Sequence, residues 1–424
     1  MRALIGILFL ATLVFAGCGT AATATKRDNF AYIYGKGGAQ MRLNARVYHS
    51  SPDHSTVYYK LNTRDLLYKG DGSGGPFRAI VQIKYEAYSD WSTKNLLDSA
   101  TTLIQDKSYD TDEDRELIGS MELRRKEQRS FILKIVARDL NRDNESTVYL
   151  RVERDGIASH QYFMPVDTAK GLSLFDDHLA LGSSVKVRSD VFAGKTLSCQ
   201  RFPVDELLPV PVFTTAASMK NDALPDTTYA ITVSEEGTFL LTLDHAGTYF
   251  IRSDTAVNDG FSLFALDECY PYVGTAADML KPLRYITSLQ EFDRISNAPD
   301  VRHAIERFWI DAAGDRERAR EAIRIYYGRV ETANRFFTSV VEGWRSDRGL
   351  VNIIFGTPTS IYKSDLSETW IYGEENNLMS LTFTFVKGKS TFSDNDLVLN
   401  RDPLLKGAWY RNVESWRNGR VYQN

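Results

Sequence analysis

Between Ala319 and Trp344 the apolar residues Ala319, Ile323, Tyr326, Val330, Ala333, Phe337, Val340 and Trp344 recur at alternating steps of four and three. That spacing lines them up on one face of an α-helix. It predicts a helix that follows a break at Gly314, is capped by Asp315 and runs to Trp344. A shorter stripe, Ile305, Phe308, Trp309 and Ala312, predicts a second helix starting near Pro299. Both read as packing faces, since a coiled-coil seam needs a longer repeat. The pattern then changes. Gly343 and Gly349 bracket a polar turn, Arg345-Ser346-Asp347-Arg348, and Leu350 to Phe355 reads as a β-strand ended by Gly356 and Pro358. A helical layer and a sheet are therefore expected to meet at this turn. Trp344 is expected to anchor the helix end in the core. Asp347 is expected to accept turn N–H groups or to pair with Arg348 or Arg345. Gly343 and Gly349 are expected to supply backbone angles closed to other residues. A mainly structural motif follows, with partner binding by exposed Arg and Asp side chains as the second reading.

Upstream the period is that of strands. Arg42 to Tyr48, Thr56 to Leu61, Phe77 to Tyr88, Leu117 to Arg124, Phe131 to Ala137 and Thr147 to Val152 are strand-like, with no long helical stripe between them. They predict an antiparallel β-sandwich over residues 30–165. Shorter runs predict a second sandwich over 166–272: Val185 to Arg188, Thr196 to Phe202, Tyr229 to Val233, Thr238 to Leu243, Thr248 to Ile251 and Phe261 to Leu266. Pro203, Pro209, Pro211 and Pro225 confine the segment between them to loop or edge. The 22 Tyr and 22 Phe fit strand-rich cores. A chain of 424 residues is too long for one core. The expected fold class is multidomain and mainly β: two antiparallel β-sandwiches, a helical linker at 273–342, and a small C-terminal α+β domain with a tail at 343–424.

The N-terminus reads as a targeting segment. Arg2 precedes an apolar run from Ala3 to Gly17, too short to span a bilayer, and Ala16-Gly17-Cys18 fits the end of a bacterial lipobox. Residues 1–17 are then a lipoprotein signal peptide, Cys18 the lipidated residue, and 18–29 a tether of small and polar residues. Cys199 and Cys269 are the other cysteines, and in an exported chain they form a candidate disulfide.

The helical and turn segments resemble the GWxTD-domain proteins of Bacteroidota. The resemblance rests on Phe308-Trp309, Tyr327-Gly328-Arg329-Val330, Ala333-Asn334, Phe337, Gly343-Trp344-Arg345-Ser346-Asp347-Arg348-Gly349 and Ile354-Phe355-Gly356-Thr357-Pro358. Glu368, Trp370, Tyr372, Phe383 and Phe385 look like the family's following strands, and Ser346 stands where the family name has Thr. The resemblance implies an envelope protein of that lineage and no particular reaction.

Chemistry is scarce. With 51 basic and 55 acidic residues the chain has no basic field for nucleic acid. His49, His54, His160, His178, His245 and His303 are scattered, with no metal-ligand spacing, and no nucleotide-binding fingerprint or nucleophile elbow is present. No enzyme activity, cofactor or metal is expected. The leading expectation is a lipid-anchored outer-membrane protein that binds other envelope proteins, as an accessory subunit of an assembly complex for outer-membrane β-barrels, or of an export or secretion complex. The alternative is a surface lipoprotein that binds or degrades glycans. The lineage O-glycosylates Asp-Ser/Thr-small or aliphatic triplets. The chain offers them at Ser99, Thr168, Thr227 and Thr255, where average composition gives roughly one.

Overall fold

The computed structural model describes Asp28 to Arg420 except residues 36–40, 71, 73, 125–128, 154–155, 205–206, 216–223, 255–258, 376, 389 and 391. Cys18 and Thr255, the candidate lipidation site and one of the candidate glycosylation sites, lie outside the described residues.

Seven strands build the first unit: β1 (Asn44–His49), β2 (Ser55–Asn62), β3 (Phe77–Tyr88), β4 (Leu96–Ser108), β5 (Glu116–Glu122), β6 (Phe131–Asp139) and β7 (Asn144–Val152). They form two antiparallel sheets, ordered β1-β2-β5 and β4-β3-β6-β7. Alternation sets the packing. Ala79, Val81, Ile83, Tyr85 and Ala87 of β3 point inward, and Leu133, Ile135 and Ala137 of β6 join them with Val57, Tyr59 and Leu61 of β2 in one buried cluster. β4 was not legible beforehand. It is an edge strand whose half-buried and exposed positions alternate, but its inward positions are mostly polar or small, such as Asp98, Ala100 and Thr102.

The second sandwich contains β8 (Met164–Asp167), β9 (His178–Ala180), β10 (Ser184–Arg188), β11 (Thr196–Phe202), β12 (Thr227–Thr232), β13 (Thr238–Thr242), β14 (Gly247–Arg252) and β15 (Phe261–Leu266). Its sheets run β13-β10-β8 and β12-β11-β14-β15-β9, with β9 parallel to β15. The short strands β8 and β9 escaped the sequence pattern. The candidate disulfide is absent: both thiols are free. Cys199 points into the core from β11, where burial pushes its thiol up to about 11, and Cys269 lies exposed in the turn after β15.

The third core is larger than the expected C-terminal domain. Helices α1 (Ala276–Leu280), α2 (Leu289–Ser296), α3 (Val301–Ala313), α4 (Arg316–Phe337) and α5 (Asp347–Phe355) precede the antiparallel sheet β16 (Ser360–Lys363), β17 (Ser367–Tyr372), β18 (Leu381–Lys387) and β19 (Leu397–Asn400), and α6 (Lys406–Arg417) follows. One buried cluster joins Ile305, Trp309, Tyr326, Phe337, Trp344, Ile354, Trp370, Phe383 and Trp416, so helices and sheet share a core. Phe30, Ala31 and Tyr34 belong to the same cluster, not to the first sandwich. The Phe30 N–H donates to the Ile361 carbonyl and Asn29 Oδ1 accepts from the Ile361 N–H at 2.9 Å, so the end of the expected tether runs beside β16.

Gly314, in the left-handed region, ends α3, and the Asp315 carboxylate accepts from the Arg318 N–H to cap α4, both as the sequence predicts. Two expectations fail. α4 ends at Phe337, and Trp344 sits in the 3₁₀ turn Gly343–Arg345, because the chain between folds back against the helix. Leu350 to Phe355 is the body of α5, not a strand. Every residue from Arg348 to Phe355 is buried, so no polar face reveals a period, and such a run is ambiguous in sequence.

An ion pair pins the ends of this core. Arg417 of α6 donates to both oxygens of Glu291, which also completes a capping box with Ser288 at the start of α2. Arg417 holds the Glu291 carboxyl down to about 2. A carboxyl whose folded pKa lies below its unfolded value of about 4.3 stabilises above that pH and loses the contribution as pH falls toward 2. Arg417→Met should therefore destabilise the fold at pH 7 by about 1 kcal/mol or less after solvent screening, read as a lower melting temperature. The gap from wild type should close between pH 5 and pH 2 in thermal melts.

Candidate functional site

The motif packs backbone on backbone. A Cβ on Gly343 would lie 1.9 Å from the Ala333 carbonyl oxygen of α4, and one on Gly349 would lie 1.9 Å from the Gly343 carbonyl oxygen. Neither glycine has a positive φ. Close approach, not special dihedral freedom, requires glycine at both positions. Side chains from elsewhere bond several of the turn's backbone groups. Asn334 Oδ1 accepts from the Trp344 N–H at 3.0 Å, the Tyr270 hydroxyl accepts from the Gly343 N–H at 3.1 Å, and the Tyr285 hydroxyl donates to the Trp344 carbonyl at 2.9 Å. Ser346 caps α5: its hydroxyl accepts from the Gly349 N–H at 3.0 Å and donates to the Gly343 carbonyl at 2.7 Å. A threonine hydroxyl would serve equally.

The charged residues of the turn face inward. Asp347 does not pair with Arg345 or Arg348. Its carboxylate accepts from the Leu399 N–H at 2.8 Å and from Arg401 at 2.6 and 3.3 Å, tying the start of α5 to β19. Arg348, buried, reaches Glu368 at 3.4 Å and the Asn395 carbonyl at 2.7 Å, and its guanidinium lies over the Phe337 ring. Glu368 also accepts from the Trp370 indole N–H at 2.7 Å and pairs with Lys363 at 3.3 Å, whose ammonium donates to the Tyr34 hydroxyl at 2.7 Å. Burial alone would raise the Glu368 carboxyl, but Lys363 and Arg348 hold it below its ordinary value. Arg345 pairs with Glu342 at 2.8 Å. At the other end of α5, Arg329 donates to the Ile353 carbonyl at 3.1 Å and faces the Trp416 ring, while burial lowers its guanidinium to about 10. The exposed Arg and Asp of the binding expectation are thus corrected: Asp347 and Arg348 are interior structural groups. Arg401, Tyr270 and Tyr285 were not singled out beforehand, because 50 residues or more separate each from its partner in the turn.

Space near the motif is small. The crevice beside Trp344, Asn334 and Tyr270 holds about 30 Å³, enough for a water or two. A cleft of about 410 Å³ opens on the second sandwich, lined by Arg201, Tyr229, Leu240, Asp244, His245 and Tyr249. Among the described residues, Glu153, His160 and Asp394 bring one ligand atom each within 4.8 Å of one another. The distance of Asp394 from the other two along the chain hides this proximity from sequence reasoning. Of the candidate glycosylation residues, Ser99 is exposed on the edge strand β4, Thr168 in the turn after β8, and Thr227 at the start of β12.

Two sandwiches followed by a helix-and-sheet domain built on a G-W-x-S-D turn define the architecture. Residues 247–418 match the GWxTD domain, and the chain is a GWxTD-domain-containing protein. No curated protein matches it. Among solved structures, Bacteroides uniformis beta-glucuronidase 2 covalently bound to cyclophellitol-6-carboxylate aziridine aligns at 13% identity and TM-score 0.16, over 25% of this chain and 12% of that one. CBD12 from CALX1.2 aligns at 13% identity and TM-score 0.15, over 59% of this chain and 89% of that one. The chain thus spans about an eighth of the first structure's length, and neither likeness carries fold or activity across.

Gly349→Ala forces a methyl group onto a backbone carbonyl that no rotamer change can move. It should destabilise by about 3 kcal/mol or more, read as a lower denaturation midpoint. Trp344→Ala should cost about 3–5 kcal/mol in the same assay.

Proposed function

We propose that this protein is a non-catalytic, lipid-anchored outer-membrane protein that docks other envelope proteins, in the manner of an accessory subunit of an assembly, export or secretion complex. The observation that carries the reading is the outward face of the sheet β16–β19. Tyr362, Thr369, Ile371, Thr382, Thr384, Val386 and Val398 alternate with the core positions and none is charged. Ile371, Val386 and Val398 belong to none of the three buried clusters. Beside this face, the turn joining β17 and β18 holds Leu378 and Met379, 101% and 86% exposed. Uncharged β-branched surface with protruding apolar side chains suits a protein partner. The inward commitment of the motif charges fits the same reading: the GWxS-D turn fixes the domain's shape and leaves recognition to the sheet. Lipid at Cys18 would hold this domain nearest the membrane, since the tether leads to Phe30 beside β16.

Glycan binding is the second reading, and the cleft around Tyr229 supports it. Against it, Trp309, Trp344, Trp370, Trp409 and Trp416 are buried, and Trp91 is half-buried against Phe30 and Tyr149. No tryptophan platform for a sugar results.

Mild detergent extraction from the native host and affinity purification should recover a stoichiometric protein partner. Val386→Glu and Leu378→Glu should each reduce that recovery at least tenfold with an unchanged melting temperature. Recovery of the wild-type chain alone would refute the reading, and saturable oligosaccharide binding abolished by Tyr229→Ala would favour the glycan alternative.

A further inference from the structure

Glu153 follows β7 at the end of the first sandwich. His160 opens the 3₁₀ turn His160–Tyr162 that leads into β8, and Asp394 lies between β18 and β19 of the GWxTD domain. One ligand atom from each falls within 4.8 Å of the others. His160 Nδ1 is 3.7 Å from a Glu153 oxygen and 3.8 Å from an Asp394 oxygen. Donor atoms around a tetrahedral zinc ion sit roughly 3.3 Å apart, given ligand distances of about 2.0–2.1 Å. The two His160 separations exceed that spacing by about half an ångström.

The surroundings position these groups. His49 is fully buried, and its Nε2 lies 3.1 Å from the Glu153 carbonyl and 3.0 Å from Gln161 Oε1. Gln161 Oε1 also accepts from the Glu153 N–H at 2.9 Å, so one buried network fixes the backbone at Glu153 and the residue beside His160. Lys387 donates to Asp394 Oδ1 at 2.9 Å, which leaves Oδ2 as the oxygen facing His160. Two carboxylates and an imidazole, partly withdrawn from water, are matched by one lysine. Burial pushes the Glu153 carboxyl up, His160 opposes this, and Asp394 adds to it.

We infer that Glu153, His160 and Asp394 form a site for one divalent first-row transition-metal ion, with zinc as the reference ion and water completing its coordination. An imidazole with two carboxylates selects such an ion over calcium, which takes oxygen ligands alone. The ion would join the first sandwich to the loop of the GWxTD domain, and its affinity would be moderated by the Lys387 charge.

Calorimetric titration of the chelator-stripped full chain with zinc chloride tests this, with circular dichroism reporting the fold of each variant. The expected result is one equivalent of zinc bound by wild type, at least tenfold weaker binding in His160→Ala and in Glu153→Gln, and no change in His245→Ala, an exposed histidine beside Asp244. Calcium chloride should give no comparable binding. Absence of zinc binding, equal binding in His160→Ala and Glu153→Gln, loss in His245→Ala, or calcium binding as tight as zinc would each overturn the inference. Should His160→Ala fail to fold, Glu153→Gln, which keeps the side chain's size, decides the outcome alone.

Discussion

The GWxTD domain depends on how closely a turn can approach a helix. The Gly343 backbone lies against the Ala333–Asn334 backbone of α4, and Gly349 at the start of α5 lies against Gly343. Any side chain at either position would separate them. With the three segments in contact, Asn334 can reach the Trp344 N–H, Ser346 can cap α5 while bonding Gly343, and Trp344 can enter the shared core. The turn sets the angle between α4 and α5, and α5 in turn carries the sheet.

Burying charge at such a junction is costly unless each group is paired and hydrogen-bonded. Here the pairs cross between elements. Asp347–Arg401 joins α5 to β19, Arg348–Glu368 joins α5 to β17, and Lys363 brings in Tyr34 from the chain's N-terminal segment. Burial of the Arg348–Glu368–Lys363 group is weak evidence for net stability, because an apolar replacement of equal shape could do as well. Its geometric content is stronger: a shifted sheet register would leave these charges unpaired, so the network specifies one arrangement.

Surface and interior therefore divide the work of this domain. The inner face of the sheet carries Ile361, Trp370, Phe383, Phe385 and Leu399 into the core, and the outer face carries uncharged β-branched residues. The side chains that give the turn its signature face the interior. In the proposed reading, partner recognition falls to the outer face and its hairpin, while the sandwiches contribute separate cores and the cleft near Tyr229.

The sequence alone determined what local periodicity and local caps encode. Strands such as Phe77–Tyr88, Thr196–Phe202 and Thr238–Thr242 alternate inward and outward residues, and α3 and α4 carry apolar stripes with Gly314 and Asp315 between them. The family resemblance at Gly343–Gly349 was likewise legible, because a motif of fixed spacing needs no fold to be seen. Tertiary structure decided the rest. Leu350–Phe355 is helical, and burial of both its faces erases the period that would have marked it. β4 was hidden because its inward face is mostly polar or small. Asp347 found Arg401, and Glu153 and His160 found Asp394, across 54 residues in the first case and over half the chain's length in the second. Charge pairing and ligand clustering act through space, and no spacing along the chain records which distant side chains the packed core will bring together.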